Sequence, residues 1–211
     1  MVNTAVLVSG GGMNLQAIMD SYCFGEIPNC KLSAVISSVP DAYALTRAKM
    51  SNIPNYVVDY NLFPNSSSFS NAILNKLKDI DTDLVVLAGF AHPLEPMVIK
   101  KYQNRIINTW PSLMPAFSGA QYNDTTVHAA VLESGAKISG ATAYFVTEEP
   151  NSGPIILQKA VEIWEGDSPG TLQRRVMEEG EWSILPQALS LFCTGRLTVD
   201  GNRVHIAEEN K

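Results

Sequence analysis

Short apolar runs rich in β-branched residues alternate with amphipathic segments through the first half of the chain. Runs of this kind, ended by Gly, Ser or Asn, are typical of strands buried on both faces of a parallel sheet. The segments between them carry apolar residues at helical spacing, so the alternation predicts an α/β fold with helices on both faces of a mostly parallel sheet. The predicted strands are Thr4–Val8, Lys31–Ser37, Asn55–Asp59, Leu84–Ala88 and Ile106–Thr109, and the predicted helices are Asn14–Tyr22, Ala42–Ser51, Phe69–Asp79 and Pro96–Tyr102, with Ser66–Ser68 as the cap of the third helix.

The pattern changes beyond Pro115, where longer strands and a long terminal helix indicate a mixed C-terminal part of the sheet. The predicted elements are a loop over Ala116–Thr125, a helix over Val127–Ser134, strands at Ile138–Val146 and Ile155–Glu162, a helix over Thr171–Phe192 kinked at Pro186, and a closing hairpin around Asp200-Gly201. No linker or repeat divides the chain. We therefore expect one domain over 1–211, with an N-terminal half at 1–105 and a C-terminal half at 106–211.

Charge and cysteine content narrow the class of protein. Fifteen Lys and Arg against 21 Asp and Glu give a net charge of -6, which excludes the broad basic surface that binds nucleic acid. Three separated cysteines and three separated histidines predict a reduced chain with no local metal site. The chain starts on a strand-like run and has no apolar stretch long enough to span a bilayer. We expect a cytoplasmic protein without a membrane partner.

A glycine loop follows the first predicted strand and precedes a helix. Backbone N–H groups at such a junction form an anion cradle, yet the loop lacks the Gly-Lys-Ser/Thr of a P-loop. Leu15 stands where a dinucleotide fold needs its third glycine, and the second strand ends in Ser37-Ser38 rather than an acidic ribose binder. Two interpretations stay open: a tight turn without a ligand, or a single phosphate bound by Gly11, Gly12 and Asn14.

Four sequence blocks together carry a resemblance to a known family. SGGGMNLQAI, LVVLAGF, INTWPSLMP and GATAYFVTEEPNSGPIILQ occur in this order between Val6 and Arg196. Together they resemble phosphoribosylglycinamide formyltransferase, and Pro111 places the chain on the glycinamide branch of that family. The resemblance implies a Rossmann-type formyltransferase fold. It also implies transfer of a formyl group from 10-formyltetrahydrofolate, as co-substrate, to glycinamide ribonucleotide in purine biosynthesis, without a metal.

The family's catalytic positions fall on Asn108, Trp110 and Asn151. In the family, the Asn steadies the formyl oxygen, a His at the second position acts in proton transfer, and an Asp at the third holds that His. Here only Asn108 is retained. An indole cannot take up a proton near neutral pH, and an amide cannot favour an imidazolium. The resemblance therefore predicts a site that has lost its proton-transfer pair.

The resemblance implies that the half at 1–105 binds phosphate and that the half at 106–211 carries folate and catalytic loops. It also assigns further positions to substrate and folate. Glu181 matches the glutamate that meets the amine of glycinamide ribonucleotide, Tyr144 replaces a His, and Ala116 and Ala120 fall where many members carry a Lys near the phosphate. The predicted substrate and phosphate residues are Gly11, Gly12, Met13, Asn14, Gly89, Pro111 and Glu181. The predicted folate residues are Leu87, Phe90, Ala91, His92, Leu94, Ile106, Val146, Thr147 and Glu148.

The sequence leaves roles and function open in several respects. Trp110 is interpreted either as core packing or as a stacking surface for a planar ligand. His128 is expected in a capping or surface role, His92 at the folate pocket or on the surface, and Glu148 and Glu149 as solvated carboxylates. Three functions fit: a slowed glycinamide formyltransferase, a degenerate paralogue that binds a ligand or a partner, and a one-carbon transferase for a different amine. Its partners are expected to be small molecules, and the chain a monomer or homodimer.

Overall fold

The structure is a computed structural model and describes residues 1–123 and 126–208. Asp124 and Thr125, the end of the predicted loop, lie outside the described residues. The strands are β1 (Val2–Val8), β2 (Cys30–Ser37), β3 (Asn55–Val57), β4 (Leu84–Leu87), β5 (Ile106–Trp110), β6 (Ile138–Phe145), β7 (Ile155–Glu162), β8 (Leu197–Asp200) and β9 (Arg203–Ile206). The helices are α1 (Met13–Cys23), α2 (Tyr43–Met50), α3 (Ser66–Asp79), α4 (Pro96–Lys101), α5 (Val127–Glu133), α6 (Pro169–Arg175) and α7 (Trp182–Cys193).

The strands form one nine-stranded sheet in the order β3-β2-β1-β4-β5-β6-β7-β9-β8. The predicted α/β class, with a mostly parallel sheet and a mixed C-terminal part, is confirmed. The chain divides into two compact units, residues 1–107 and 108–211, and this boundary falls inside β5. None of the described helices is long and apolar enough to cross a membrane.

In the first unit the strands β3, β2, β1 and β4 pair in parallel. All residues of β4 and most residues of β1 and β2 are buried, as continuous apolar runs predict, whereas no residue of β3 is buried. α3 begins earlier than expected. Asn65 is its N-cap and accepts a 2.9 Å bond from the Ser68 amide, so the predicted cap Ser66–Ser68 is instead the first helical turn. The predicted third strand ends at Val57, and a short 3₁₀ turn at Tyr60–Leu62 follows it.

In the second unit β6 and β7 are antiparallel, and β8 and β9 form the predicted hairpin. Asp200 pairs with Arg203, so the turn residues are Gly201 and Asn202, and Gly201 takes the positive φ of 57° that the turn requires.

The prediction of one continuous helix over Thr171–Phe192 is wrong. It consists of α6, a π-helical segment at Val176–Glu181, and α7. The interruption therefore precedes Pro186, which lies inside α7. Gly180 of the π-helical segment packs against β6 so closely that an added Cβ would come within 2.9 Å of the Ala141 Cβ. The absence of a side chain at Gly180 therefore lets the π-helical segment pack closely against β6.

Candidate active site

β5 presents Asn108, Thr109 and Trp110 at the start of the second unit. Because side chains alternate along a strand, Asn108 and Trp110 share one face and Thr109 points to the other. Asn108 is half-buried, while Thr109 and Trp110 are buried. The strand runs one residue further than the apolar pattern predicts, so Trp110 is its last residue rather than the start of the loop.

A hydrogen-bonded chain joins Asn108 to Asn151 through the hydroxyl of Tyr144. Asn108 Nδ2 donates to the Tyr144 hydroxyl over 3.0 Å. The same hydroxyl donates to Asn151 Oδ1, also over 3.0 Å. Tyr144 lies near the end of β6 and is 2% exposed, so these bonds are made largely away from water. The structure thus connects two of the three predicted catalytic positions through a residue outside that set.

The loop after β6 gives Asn151 its position. Phe145 N donates to Pro154 O over 2.9 Å and closes the base of the loop. Asn151 adopts a left-handed conformation with a φ of 50°, which Asn tolerates better than most residues. At Gly153 an added Cβ would collide with the carbonyl oxygen of Phe145, so only glycine fits. Of the predicted folate residues here, Val146 and Thr147 are half-buried and Glu148 is exposed.

The indole of Trp110 anchors the loop that follows β5. Its Nε1 donates to the carbonyl oxygen of Phe117 over 2.8 Å. Ser112 Oγ donates to the Ala116 carbonyl over 2.7 Å in the same loop. Trp110 is 4% exposed, and its single polar hydrogen is used within the chain. This geometry favours the packing interpretation of Trp110 over stacking on a planar ligand.

A second set of bonds fixes the same loop to the sheet. The Thr142 hydroxyl donates to Ser112 O over 2.6 Å and accepts from Met114 N over 3.1 Å. Gln158 Nε2 donates to Met114 O over 2.8 Å. Pro111 lies buried at the start of this loop. The loop is therefore held by side chains of two neighbouring strands, β6 and β7, as a preorganised site requires.

Glu181, the predicted amine contact, ends the π-helical segment. Thr109 Oγ1 donates to Glu181 Oε2 over 3.1 Å. Insertions of π geometry into helices occur frequently at functional sites. Glu181 is half-buried, and the bond from Thr109 on β5 orients its carboxylate. No sequence signal pointed to the role of Thr109, because its partner lies 72 residues away.

The glycine loop lies in the first unit, between β1 and α1. Gly12 precedes α1 with a φ of 73°, and an added Cβ there would come within 2.7 Å of the Ala44 Cβ. Gly11 and Met13 are exposed, and Asn14 is half-buried. Arg47 of α2 donates to Gly11 O over 2.8 Å, which brings a guanidinium against the loop. This positive charge near the candidate anion cradle was not predicted from the sequence.

The predicted folate residues of the first unit lie at the end of β4, in the segment after it and at the start of β5. Gly89 turns the chain with a φ of 68°. His92 stacks on Tyr60 with ring centroids 3.8 Å apart, and burial lowers its pKa below the ordinary value. Phe90 and His92 are half-buried and Ala91 is exposed, whereas Leu87, Leu94 and Ile106 are buried. Ile106 has no exposed surface, so its side chain belongs to the core.

The other candidate proton carriers differ in burial. His128 lies on α5 and is 1% exposed, so the expected surface or capping role is wrong. Neither of its ring nitrogens has a hydrogen-bond partner among the described residues, and burial lowers its pKa to about 4. Glu148 and Glu149 are exposed, as expected. Across the described residues, no group of three or more His, Cys, Asp or Glu side chains is arranged to hold a metal ion.

Comparisons with known proteins bear on this site. Residues 2–189 match the sequence profile of the family described as formyl transferase. The chain belongs to this family. It is 36% identical to a phosphoribosylglycinamide formyltransferase of Haemophilus influenzae over 206 residues, which are 98% of this chain and 94% of that protein.

Solved structures agree with this family assignment. The fold superposes with a TM-score of 0.92 on glycinamide ribonucleotide transformylase 1 from Symbiobacterium toebii, at 40% identity and covering 99% and 95% of the two chains. A formyltetrahydrofolate deformylase from Pseudomonas syringae is also similar, at 25% identity and a TM-score of 0.87, covering 99% of this chain and 67% of that one.

Proposed function

We propose that the protein transfers a formyl group from 10-formyltetrahydrofolate to the amine of glycinamide ribonucleotide. The similarity to glycinamide formyltransferases over nearly the whole chain supports this acceptor and donor. The observation that carries the proposal is the retained Asn108, which lies on β5 with its amide nitrogen held in a defined direction by Tyr144. An amide donor fixed before the reaction is the feature that stabilises a developing oxyanion.

In this reaction the acceptor amine attacks the formyl carbon, and the bond from that carbon to N10 of the folate breaks. The formyl oxygen gains negative charge as the tetrahedral intermediate forms, and Asn108 Nδ2 stabilises it. Glu181, oriented by Thr109, receives the ammonium or amine of the acceptor. Gly11, Gly12 and Asn14 bind the phosphate through backbone N–H groups, with Arg47 adding positive charge.

One proton must leave the attacking amine and one must reach N10. Trp110 performs neither transfer, because its indole has only an N–H donor and that donor is bound to Phe117 O. Asn151 carries no charge. Proton transfer then falls to solvent, and the rate should lie about 10²–10⁴-fold below that of a relative with general acid–base catalysis.

A second candidate is a paralogue that binds the same ligands without turnover. The hydrogen bond from the Trp110 indole to the loop favours this second candidate. A side chain that holds the loop in place indicates that this position no longer takes part in catalysis. Purified protein incubated with 10-formyltetrahydrofolate and glycinamide ribonucleotide separates the two candidates. Formation of formylated product and tetrahydrofolate in equal amounts supports the transferase. Binding of both ligands without product supports the paralogue.

A further inference from the structure

The chain Asn108–Tyr144–Asn151 has a fixed direction of hydrogen bonding. A tyrosine hydroxyl carries one proton, which Tyr144 gives to Asn151 Oδ1. Toward Asn108 the same hydroxyl then acts only as an acceptor. Asn108 must therefore turn its Nδ2 rather than its Oδ1 toward Tyr144, as the 3.0 Å bond shows.

This direction would be lost without an acceptor at position 151. Without that acceptor, the Tyr144 hydroxyl could donate to Asn108 Oδ1 instead, and the carboxamide could then take either of two orientations that differ by a half-turn. Only one of the two presents the Asn108 N–H donors as the structure has them. Because Tyr144 is 2% exposed, water competes poorly for either bond.

We infer that Tyr144 is a positioning residue for formyl transfer: with Asn151 as its acceptor, it holds Asn108 in the single orientation that aims an amide donor at the formyl oxygen. The inference rests on the proposed function, since it concerns the donor that stabilises the transferred group. Asn151 then acts through Tyr144, and not through the side chain at position 110. Tyr144 and Asn151, which both differ from the family residues, act together: Tyr144 donates the hydrogen bond that Asn151 accepts.

Three substitutions separate this role from simple packing. Tyr144→Phe removes the hydroxyl and keeps the ring. Asn151→Gly removes the acceptor and accepts the positive φ of 50° without strain. Asn151→Asp keeps an acceptor, so it preserves the direction of the bonds. Tyr102→Phe is the matched control, because Tyr102 is equally buried at 2% exposure and belongs to the first unit.

The first measurement is kcat and KM for transfer from 10-formyltetrahydrofolate to glycinamide ribonucleotide. Tyr144→Phe and Asn151→Gly should each lower kcat about 10-fold or more with little change in KM, and the double variant should be no more than about 3-fold slower than either. Asn151→Asp keeps an acceptor, so it should lose less kcat than Asn151→Gly, and Tyr102→Phe should match the unmodified protein. A double variant whose loss equals the product of the single losses would overturn the inference, as would single losses under about 2-fold.

The second measurement needs no turnover. It is the ratio of dissociation constants for an unreactive formylated folate analogue and its unformylated counterpart, obtained by calorimetry. Tyr144→Phe and Asn151→Gly should weaken the preference for the formylated analogue, while Tyr102→Phe leaves it unchanged. If the unmodified protein shows no turnover but these variants weaken the preference, the proposed function fails and the positioning role stands. An unchanged preference, or no binding of either analogue, overturns the positioning role.

Discussion

The indole Nε1 of Trp110 donates a 2.8 Å hydrogen bond to the carbonyl oxygen of Phe117. Trp110 occupies the family's proton-transfer position, and its bond to Phe117 holds the loop that follows β5. We call this bond the clamp. The same loop is bonded to Thr142 and Gln158, so the clamp belongs to a set of bonds that keeps the loop in one conformation. Folding stability and catalysis are therefore separate properties of this position, and each can be measured alone.

The clamp should be measurable as folding stability. Trp110→Phe removes the N–H donor, and we expect a loss of about 1–2 kcal/mol in the free energy of unfolding beyond the cost of the smaller ring. Trp182→Phe is the matched control, because the Trp182 Nε1 is buried without a partner in the described structure. Urea unfolding of both variants gives the difference. Equal losses would show that the Trp110 bond contributes nothing.

Restoring the family's proton-transfer pair should require both substitutions. Trp110→His supplies an imidazole that lacks a carboxylate, and Asn151→Asp supplies a carboxylate that lacks an imidazole, so each alone should leave the rate nearly unchanged. The double variant should gain about 10²-fold, giving a strongly non-additive cycle. Initial rates of formyl transfer test this, with circular dichroism to confirm folding, because Trp110→His also removes the clamp on Phe117. A full gain from Trp110→His alone would show that a carboxylate is not needed.

Thr109 should control how Glu181 meets the acceptor amine. Thr109→Val keeps the side-chain shape and deletes the hydroxyl bonded to Glu181 Oε2. We expect KM for glycinamide ribonucleotide to rise up to about 10-fold, with a smaller change in KM for the folate, because a hydrogen bond to a charged group is lost. Thr198→Val, on the exposed face of β8, is the control. An equal rise in KM for both substrates would argue against a specific role at the amine.

Buried His128 should make folding stability depend on pH. Burial lowers its pKa in the folded state to about 4, while the unfolded imidazole protonates near 6.5. The free energy of unfolding should therefore be highest above pH 6.5 and fall as the pH drops toward 4, by up to roughly 1.4 kcal/mol per pH unit.

Urea unfolding at pH 7.5 and pH 5 measures this slope. His128→Leu should flatten it, because the buried group that resists protonation is gone. His205→Gln removes an exposed histidine of β9 and should leave the slope as it is. If His128→Leu keeps the full slope, the buried histidine is not its source.

The periodic part of the fold could be predicted from the sequence, because buried parallel strands and amphipathic helices leave regular patterns. β7 was predicted with the bounds that the structure shows, and the other strands with ends close to those observed. The π-helical segment at Val176–Glu181 could not be predicted, because it depends on the close approach of Gly180 to Ala141. The burial of His128 was predicted wrongly for a different reason: a helix of seven residues is too short for its sequence to show which face is buried.

The candidate site was predicted by position but not by its bonds. Asn108, Trp110 and Asn151 were identified by resemblance. Tyr144 lies 36 positions from Asn108, to which it is hydrogen-bonded. From the sequence, Tyr144 was identified only as the replacement of a family His. The partner of Trp110 depends on the path of the loop to Phe117, which no local pattern specifies. The resemblance paired Asn151 with Trp110, as the lost Asp and His, and no sequence signal linked Asn151 to Tyr144.

The central claim is formyl transfer that depends on Asn108 and proceeds without a proton-transfer histidine. The most direct test compares product formation by this protein, its Asn108→Ala variant and the Haemophilus influenzae relative under the same conditions. We predict a measurable rate at least about 10²-fold below that of the relative, and a further loss of about 10²–10³-fold in the variant. A rate equal to the relative's, or a rate that Asn108→Ala leaves unchanged, would contradict the account.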